Sequence, residues 1–256
     1  MRLTGFEGRT AIVTGAAGGI GREIVRHLHE AGATVIATDT MAALETDPVP
    51  DVPNLVLDVR DGAAAEALVA EVEARHGPLA LGVHAAGVLA IGPLLDLPAA
   101  EWDRVIGINT TGSFNVTRAF GWAMARQGRG AIVAVSSNAA GIPRLNMGAY
   151  AASKAAATML IRCLGLELAA QGVRCNIVAP GSTLTPMQTG MWTEDGGAGE
   201  RAVIEGSLPA YRTGIPLGKL ATPEDIAGAV MFLLSDQAGH VTMADLYVDG
   251  GATLRA

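Results

Sequence analysis

The sequence predicts one doubly wound α/β domain, a parallel sheet with helices on both faces. Short apolar, β-branched runs alternate with longer segments of helical pattern along the whole chain, and that alternation builds β-α-β units. The strand-like runs are apolar throughout, as strands buried from two sides must be. A length of 256 residues suits a single unit, since α/β folds commonly run to roughly 250 residues as one domain.

In chain order, residues 10–14 read as a strand, 20–31 as a helix, 34–38 as a strand and 55–57 as another. Residues 62–75 have helical pattern, with Asp61 as N-cap. Residues 79–84 and 131–135 read as buried strands, and 101–126 and 149–170 as long helices, the second feeding a strand at 174–178. Thr222 suits a further N-cap, followed by Pro223 at the first helical position and Glu224 and Asp225 in the first turn. Two segments break the alternation. Residues 41–53 contain three prolines and read as a surface connection in place of a helix. Residues 184–216, with Gly190, Gly196, Gly197 and Gly199, are long for a connection. At the carboxyl edge of a parallel sheet they are expected to form a substrate lid.

Half of the residues are hydrophobic and the formal charge is −7, which argues against a nucleic-acid partner because such a partner needs a clustered basic surface. Residues 1–9 carry Arg2, Glu7 and Arg9 and no apolar run, so no secretory signal is expected. The longest apolar stretch, 79–95, is interrupted by Gly82, Gly87, Gly92 and Pro93 and falls short of a bilayer span. A cytoplasmic protein without a membrane partner is expected. Cys163 and Cys175 lie in apolar segments and read as small buried hydrophobes. No metal site is expected.

The run from Thr14 to Gly21, Thr-Gly-Ala-Ala-Gly-Gly-Ile-Gly, follows the first strand and opens the first helix. Glycines there let backbone N–H groups approach a pyrophosphate, and the helix N-terminus favours negative charge. A glycine triplet alone is also what a plain tight turn needs; its position after the first strand favours a dinucleotide site. Asp39 ends the second strand, where an acid reaches adenosine ribose hydroxyls and repels a 2′-phosphate. Ala16, Ala17 and Thr40 bring no cation to offset it, so NAD is expected over NADP, against the alternative of a solvated loop acid. Asp58 has two readings, a contact to the adenine edge and a helix cap.

Tyr150 and Lys154 are four apart and share a helix face. An ammonium beside a phenol lowers the phenol pKa from about 10 and prepares it as a base. Only two of the eighteen basic residues are lysines, and an amine differs chemically from a guanidinium, which singles out Lys154. Lys219 has no assigned role.

These motifs resemble those of the short-chain dehydrogenase/reductase family. The glycine run 14–21, Ala85-Ala86-Gly87, Asn109, Ser137, Tyr150-Ala151-Ala152-Ser153-Lys154, Pro180-Gly181 and Val248-Asp249-Gly250-Gly251 fall in family order over nearly the whole chain. The resemblance implies a Rossmann-type domain with a seven-stranded parallel sheet. By it, Tyr150 is the acid/base, Lys154 binds the nicotinamide ribose and lowers the tyrosine pKa, Ser137 rather than Ser136 orients the substrate oxygen, and Asn109 holds a proton-relaying water. It also implies cofactor contacts from Gly15, Gly18, Ile20, Gly21, Asp39, Asp58, Val59, Ala86, Gly87, Pro180, Gly181 and Thr183. His84 departs from the usual asparagine and is expected to be buried and hydrogen-bonded.

A finer resemblance, in Ile142-Pro143-Arg144, in Gly181-Ser182-Thr183 with Met187-Gln188, in residues 214–219 and in residues 248–254, is to the family's 2,3-dihydro-2,3-dihydroxybenzoate dehydrogenase branch. It implies NAD-linked oxidation of a cyclohexadiene carboxylate to an aromatic acid in siderophore synthesis. Arg144 would pair with the carboxylate, or serve as a surface or interface arginine. Met187 and Gln188 would contact the ring. The 2-amino analogue, trans-2,3-dihydro-3-hydroxyanthranilate, is the alternative substrate, an ordinary secondary-alcohol or 3-oxoacyl reductase a third reading, and a non-catalytic NAD sensor a different class. The resemblance also implies a homotetramer, packed through the helices at 101–126 and 149–170.

Overall fold

The computed structural model describes residues 2–192 and 197–254. In chain order its elements are β1 (Thr10–Thr14), α1 (Gly19–Glu30), β2 (Thr34–Asp39), α2 (Met41–Thr46), β3 (Asn54–Val56), α3 (Gly62–His76), β4 (Leu79–His84), α4 (Ala99–Ile106), a π-helical turn (Gly107–Thr111), α5 (Gly112–Gln127), β5 (Gly130–Val135), α6 (Gly148–Leu168), β6 (Val173–Pro180), α7 (Pro186–Thr189), α8 (Ala198–Glu205), α9 (Pro223–Leu234) and β7 (Asp245–Val248). The strands of these residues pair in parallel as one seven-stranded sheet in the order β3-β2-β1-β4-β5-β6-β7. Strand order reverses between β1 and β4, and ligands of such sheets bind in the crevice outside the carboxyl ends at that switch point.

Alternation along each strand divides the core into two layers. Ala11, Val13, Val35, Ala37, Val133 and Val178 face one layer, which α1 and α9 cover with Ile24, Leu28, Ile226 and Val230. Ile12, Ile36, Ile132, Cys175 and Ile177 face the other, filled by α3, α5 and α6 with Leu68, Val72, Phe120 and Ile161. Gly82 makes room for this second layer, since a Cβ there would lie 2.4 Å from the Phe120 ring. The caps are as expected: Asp61 Oδ1 accepts from Ala64 N at 2.9 Å, and Thr222 and Asp225 form a reciprocal capping box.

The structure differs from the sequence expectation at four places. Residues 41–46 of the expected surface connection are helical, because Thr40 caps Ala43 N and the first proline comes only at Pro48. The helix expected at 101–126 contains the π turn, whose wider i→i+5 geometry changes the direction of the side chains that follow. Cys163 is exposed, and only Cys175 is the buried hydrophobe expected of both. The segment 184–216 is folded: it carries α7, α8 and an antiparallel bridge between Ser207 and Arg212, over a small core of Val203, Ile215 and Leu220 with Trp192. Its Gly196 lies outside the described residues.

Candidate active site

A groove runs across the carboxyl ends of β1, β2 and β4. Two glycines make its floor possible. Gly15 has φ +68°, and a Cβ there would lie 2.5 Å from Ala86 N; a Cβ on Gly21 would lie 2.0 Å from Gly15 O. A side chain at either position would force apart backbone that must touch. Gly18 caps α1 in extended conformation and leaves the helix N-terminus open to the groove. Gly15, Gly18, Ile20, Gly21, Asp39, Asp58, Val59, Ala86 and Gly87 all line this one groove, so the cofactor residues expected between 15 and 87 are brought together.

Asp39 is held in place by the chain it faces: Ala17 N donates to Oδ2 at 3.0 Å and Thr40 N to Oδ1 at 2.8 Å. A carboxylate offers about four acceptor sites, so two remain. Asp58 is taken up by Arg60, whose Nε lies 3.0 Å from both carboxylate oxygens and whose guanidinium closes a second bond at 2.5 Å. That pair holds the Asp58 carboxyl below its ordinary range. Arg60 itself lines the groove and escaped the sequence reading, although it directly follows Asp58-Val59.

The groove opens into a second pocket through shared residues Ile20, Gly87, Thr185 and Met187. Ser137, Arg144, Tyr150, Lys154, Pro180, Gly181, Thr183, Met187 and Gln188 line it. Every expected catalytic and substrate residue except Asn109 therefore meets in one cavity, fed by β5, α6, β6 and the 184–216 segment. Ser136 Oγ is committed to Thr158 Oγ1 at 2.7 Å, whereas the Ser137 hydroxyl is a hydrogen-bonding partner of the Tyr150 phenol. This favours Ser137 over its neighbour.

Lys154 is buried beneath Tyr150, with Nζ 5.9 Å from the ring centroid and donating to Val135 O at 3.1 Å. Burial lowers its pKa to about 8. The expected effect on the phenol is not what this arrangement produces. Burial raises the Tyr150 pKa above its ordinary value, and the Ser137 hydrogen bond offsets this only in part, because the ammonium is bonded to Val135 and not to the phenol oxygen.

Asn109 sits behind the pocket, in the π turn. Its Nδ2 donates to Val88 O at 2.8 Å and Ser153 Oγ at 2.9 Å, and its Oδ1 accepts from Val88 N at 2.8 Å. Both amide hydrogens are thus used in tying the 87–88 turn to α6. The free acceptor capacity of Oδ1 lies near Lys154: a Cβ built on Gly87 would be 3.0 Å from Nζ and 3.3 Å from Oδ1. His84, buried as expected, bonds Thr14 Oγ1 through Nδ1 at 2.8 Å, while its Nε2 has no partner among the described residues. Burial, with the nearby Lys154 charge, lowers its pKa to about 3, so it is neutral.

Residues 15–253 match the family model described as enoyl-(acyl carrier protein) reductase. The chain belongs to the short-chain dehydrogenase/reductase family. It is 47% identical to 2,3-dihydro-2,3-dihydroxybenzoate dehydrogenase of Bacillus subtilis (strain 168), over 99% of both chains. It is 42% identical to the Escherichia coli (strain K12) protein of the same name, over 98% of this chain and 99% of that one. Among solved structures it resembles ligand-free Thermoplasma acidophilum aldohexose dehydrogenase, with a TM-score of 0.89 at 28% identity, covering 100% of this chain and 98% of that one. The protein is an oxidoreductase acting on CH–OH groups with a nicotinamide cofactor, which excludes a purely sensing role. The glycine floor, the open N-terminus of α1 and the Tyr150–Lys154 pair fit that cofactor.

Proposed function

We propose that this dehydrogenase uses NAD to oxidise 2,3-dihydro-2,3-dihydroxybenzoate to 2,3-dihydroxybenzoate, a step of catechol siderophore synthesis. The observation that carries the substrate reading is the charge of the pocket around Tyr150. Its described lining includes cations, Arg144 among them, and no aspartate or glutamate, in a protein of net charge −7. A carboxylated ring suits that cavity, and the names of the two relatives supply the ring chemistry.

NAD is supported by Asp39, whose remaining acceptor sites suit two ribose hydroxyls and whose charge opposes a 2′-phosphate. Arg60, the cation in the groove, is already paired with Asp58. When bound, the nicotinamide supplies the hydride-accepting carbon. Ser137 would orient the C3 hydroxyl of the substrate, the Tyr150 oxygen is the group placed to accept that hydroxyl proton, and the bound nicotinamide would take the C3 hydride. The resulting ketone then tautomerises to the aromatic diol. Lys154 supplies positive charge below the phenol, and Met187 and Gln188 bound the ring from the lid.

We further place the enzyme in the cytoplasm as a homotetramer packed through α5 and α6. Those helices expose large apolar side chains, Phe114 and Trp122 on α5 and Met159 and Leu166 on α6. Among the described residues no helix is long and apolar enough to cross a membrane.

The test is initial-rate NAD reduction with 2,3-dihydro-2,3-dihydroxybenzoate and, in parallel, its 2-amino analogue. Preference for the diol is expected. Preference for the amine would redirect the assignment to 3-hydroxyanthranilate formation. Turnover of simple cyclic alcohols alone would overturn the substrate reading while leaving the dehydrogenase intact.

A further inference from the structure

The pocket contains a second guanidinium besides Arg144. Arg212 lines the same cavity but comes from the 184–216 segment, whereas Arg144 comes from the loop between β5 and α6. Among the described residues neither guanidinium has a hydrogen bond or an ion pair. The carboxylate whose charge reaches Arg144 is Asp249, and its hydrogen bonds go elsewhere. Its Oδ1 accepts from Gly251 N at 2.9 Å, and its Oδ2 from Thr253 N at 3.0 Å and Thr253 Oγ1 at 2.7 Å. Two arginines, each repelling the other, thus share with Lys154 a cavity lined by no acid, and the Asp249 charge acts on Arg144 from outside that lining. An anion entering the cavity would relieve that repulsion.

The backbone that presents Arg212 is specifically shaped. Arg212 N donates to Ser207 O and Ser207 N to Arg212 O, both at 2.9 Å. The hairpin is closed by three residues with positive φ, Gly206 (+80°), Tyr211 (+52°) and Gly214 (+80°). A Cβ on Gly206 would lie 2.4 Å from Gly214 N. Tyr211 is a bulky residue in a region that side chains rarely occupy, and such strain concentrates where geometry serves a site.

We propose that Arg212 is the second half of a two-arginine clamp, with Arg144, that selects substrates bearing a carboxylate. Resting on the substrate reading above, this makes acid recognition a joint property of the lid and the body of the domain: the aromatic acid is held from both, and a neutral ring of the same shape is not.

The test is calorimetric titration of the NAD-loaded enzyme with benzoate and with benzamide, which have one shape and differ in charge. Wild type is expected to prefer benzoate. R212Q should bind benzoate roughly 10- to 150-fold more weakly, the range of one charge-assisted pair, without a matching loss for benzamide, and R212K should recover part of the difference. R201Q, which removes an exposed charge from α8 in the same lid, should leave the benzoate preference intact. Unchanged benzoate affinity in R212Q, or equal losses of benzoate and benzamide, overturns the clamp. These readouts do not require turnover, so failure of the dihydrodiol to react would reject the substrate reading alone.

Discussion

Replacing Lys154 with methionine should make the protein more stable and almost inactive. Burial lowers the ammonium pKa from 10.5 to about 8, so keeping it charged in the folded state at pH 7 costs about 3 kcal/mol. Methionine fills similar space with an unbranched apolar chain and removes that cost. It also removes the hydrogen bond to Val135 O, worth about 1 kcal/mol. A net gain of about 1–2 kcal/mol should raise Tm by roughly 2–8 °C in a chain of this size. The pH dependence fixes the cause. Between about pH 8 and 10.5 the unfolded chain still holds the lysine proton and the folded state has released it, so wild type gains stability as pH rises. The advantage of Lys154→Met is therefore full below pH 8 and shrinks up to about pH 10.5. Thermal unfolding of both proteins at pH 7 and pH 10, with kcat measured at pH 7, makes the test. A lower Tm for the variant at pH 7, or a difference independent of pH, would refute the account of a buried, penalised ammonium. Turnover should fall by roughly 10²-fold or more, the usual share of a group in proton transfer.

Three further outcomes are expected. Tyr150→Phe should cut kcat by roughly 10²–10⁴-fold while NAD affinity, read by fluorescence titration, stays within a few fold. Asp39→Asn should raise the NADP to NAD ratio of kcat/KM by roughly 5- to 10³-fold, since two unit charges about 4 Å apart repel by about 1–4 kcal/mol between bulk water and a protein surface; an unchanged ratio would remove Asp39 from cofactor choice. His84→Asn should resist acid better. With a folded pKa of about 3 against 6.5, wild type loses stability as pH falls below 6.5, by about 2 kcal/mol at pH 5, and the asparagine variant lacks that loss in denaturant titrations at pH 7 and pH 5.

Much of the frame was legible because it depends on local chemistry. Short apolar runs alternating with helical patterns read as strands covered on both faces, and the sheet has those strands. The glycines at 15 and 21 were readable because no other residue permits the approaches seen there, and the four-residue spacing of Tyr150 and Lys154 because a helix repeats on that scale. Asn109 shows the limit. Its identity is readable, but the π turn at Gly107–Thr111 that aims its amide at Val88 and Ser153 has no compositional mark. The phenol of Tyr150 shows another. Spacing brings an ammonium near it, yet burial and the Val135 carbonyl decide what the ammonium does, and neither appears in a four-residue interval.

Charge was the least legible property, for a reason that bears on function. The chain is acidic overall, and every segment that feeds the pocket is ordinary on its own: one arginine in a loop at 144, one lysine in an alanine-rich helix at 154, one arginine at 212 in the 184–216 segment. Only the topology, which brings the end of β5, the start of α6 and the 184–216 segment to one edge of the sheet, sums them into a cationic cavity. Composition averages over the whole surface, whereas binding responds to the few charges that share a low-dielectric space, where their interaction is several-fold stronger than in water. On the proposed reading an acidic protein selects an acid, because the fold gathers these cations into one cavity.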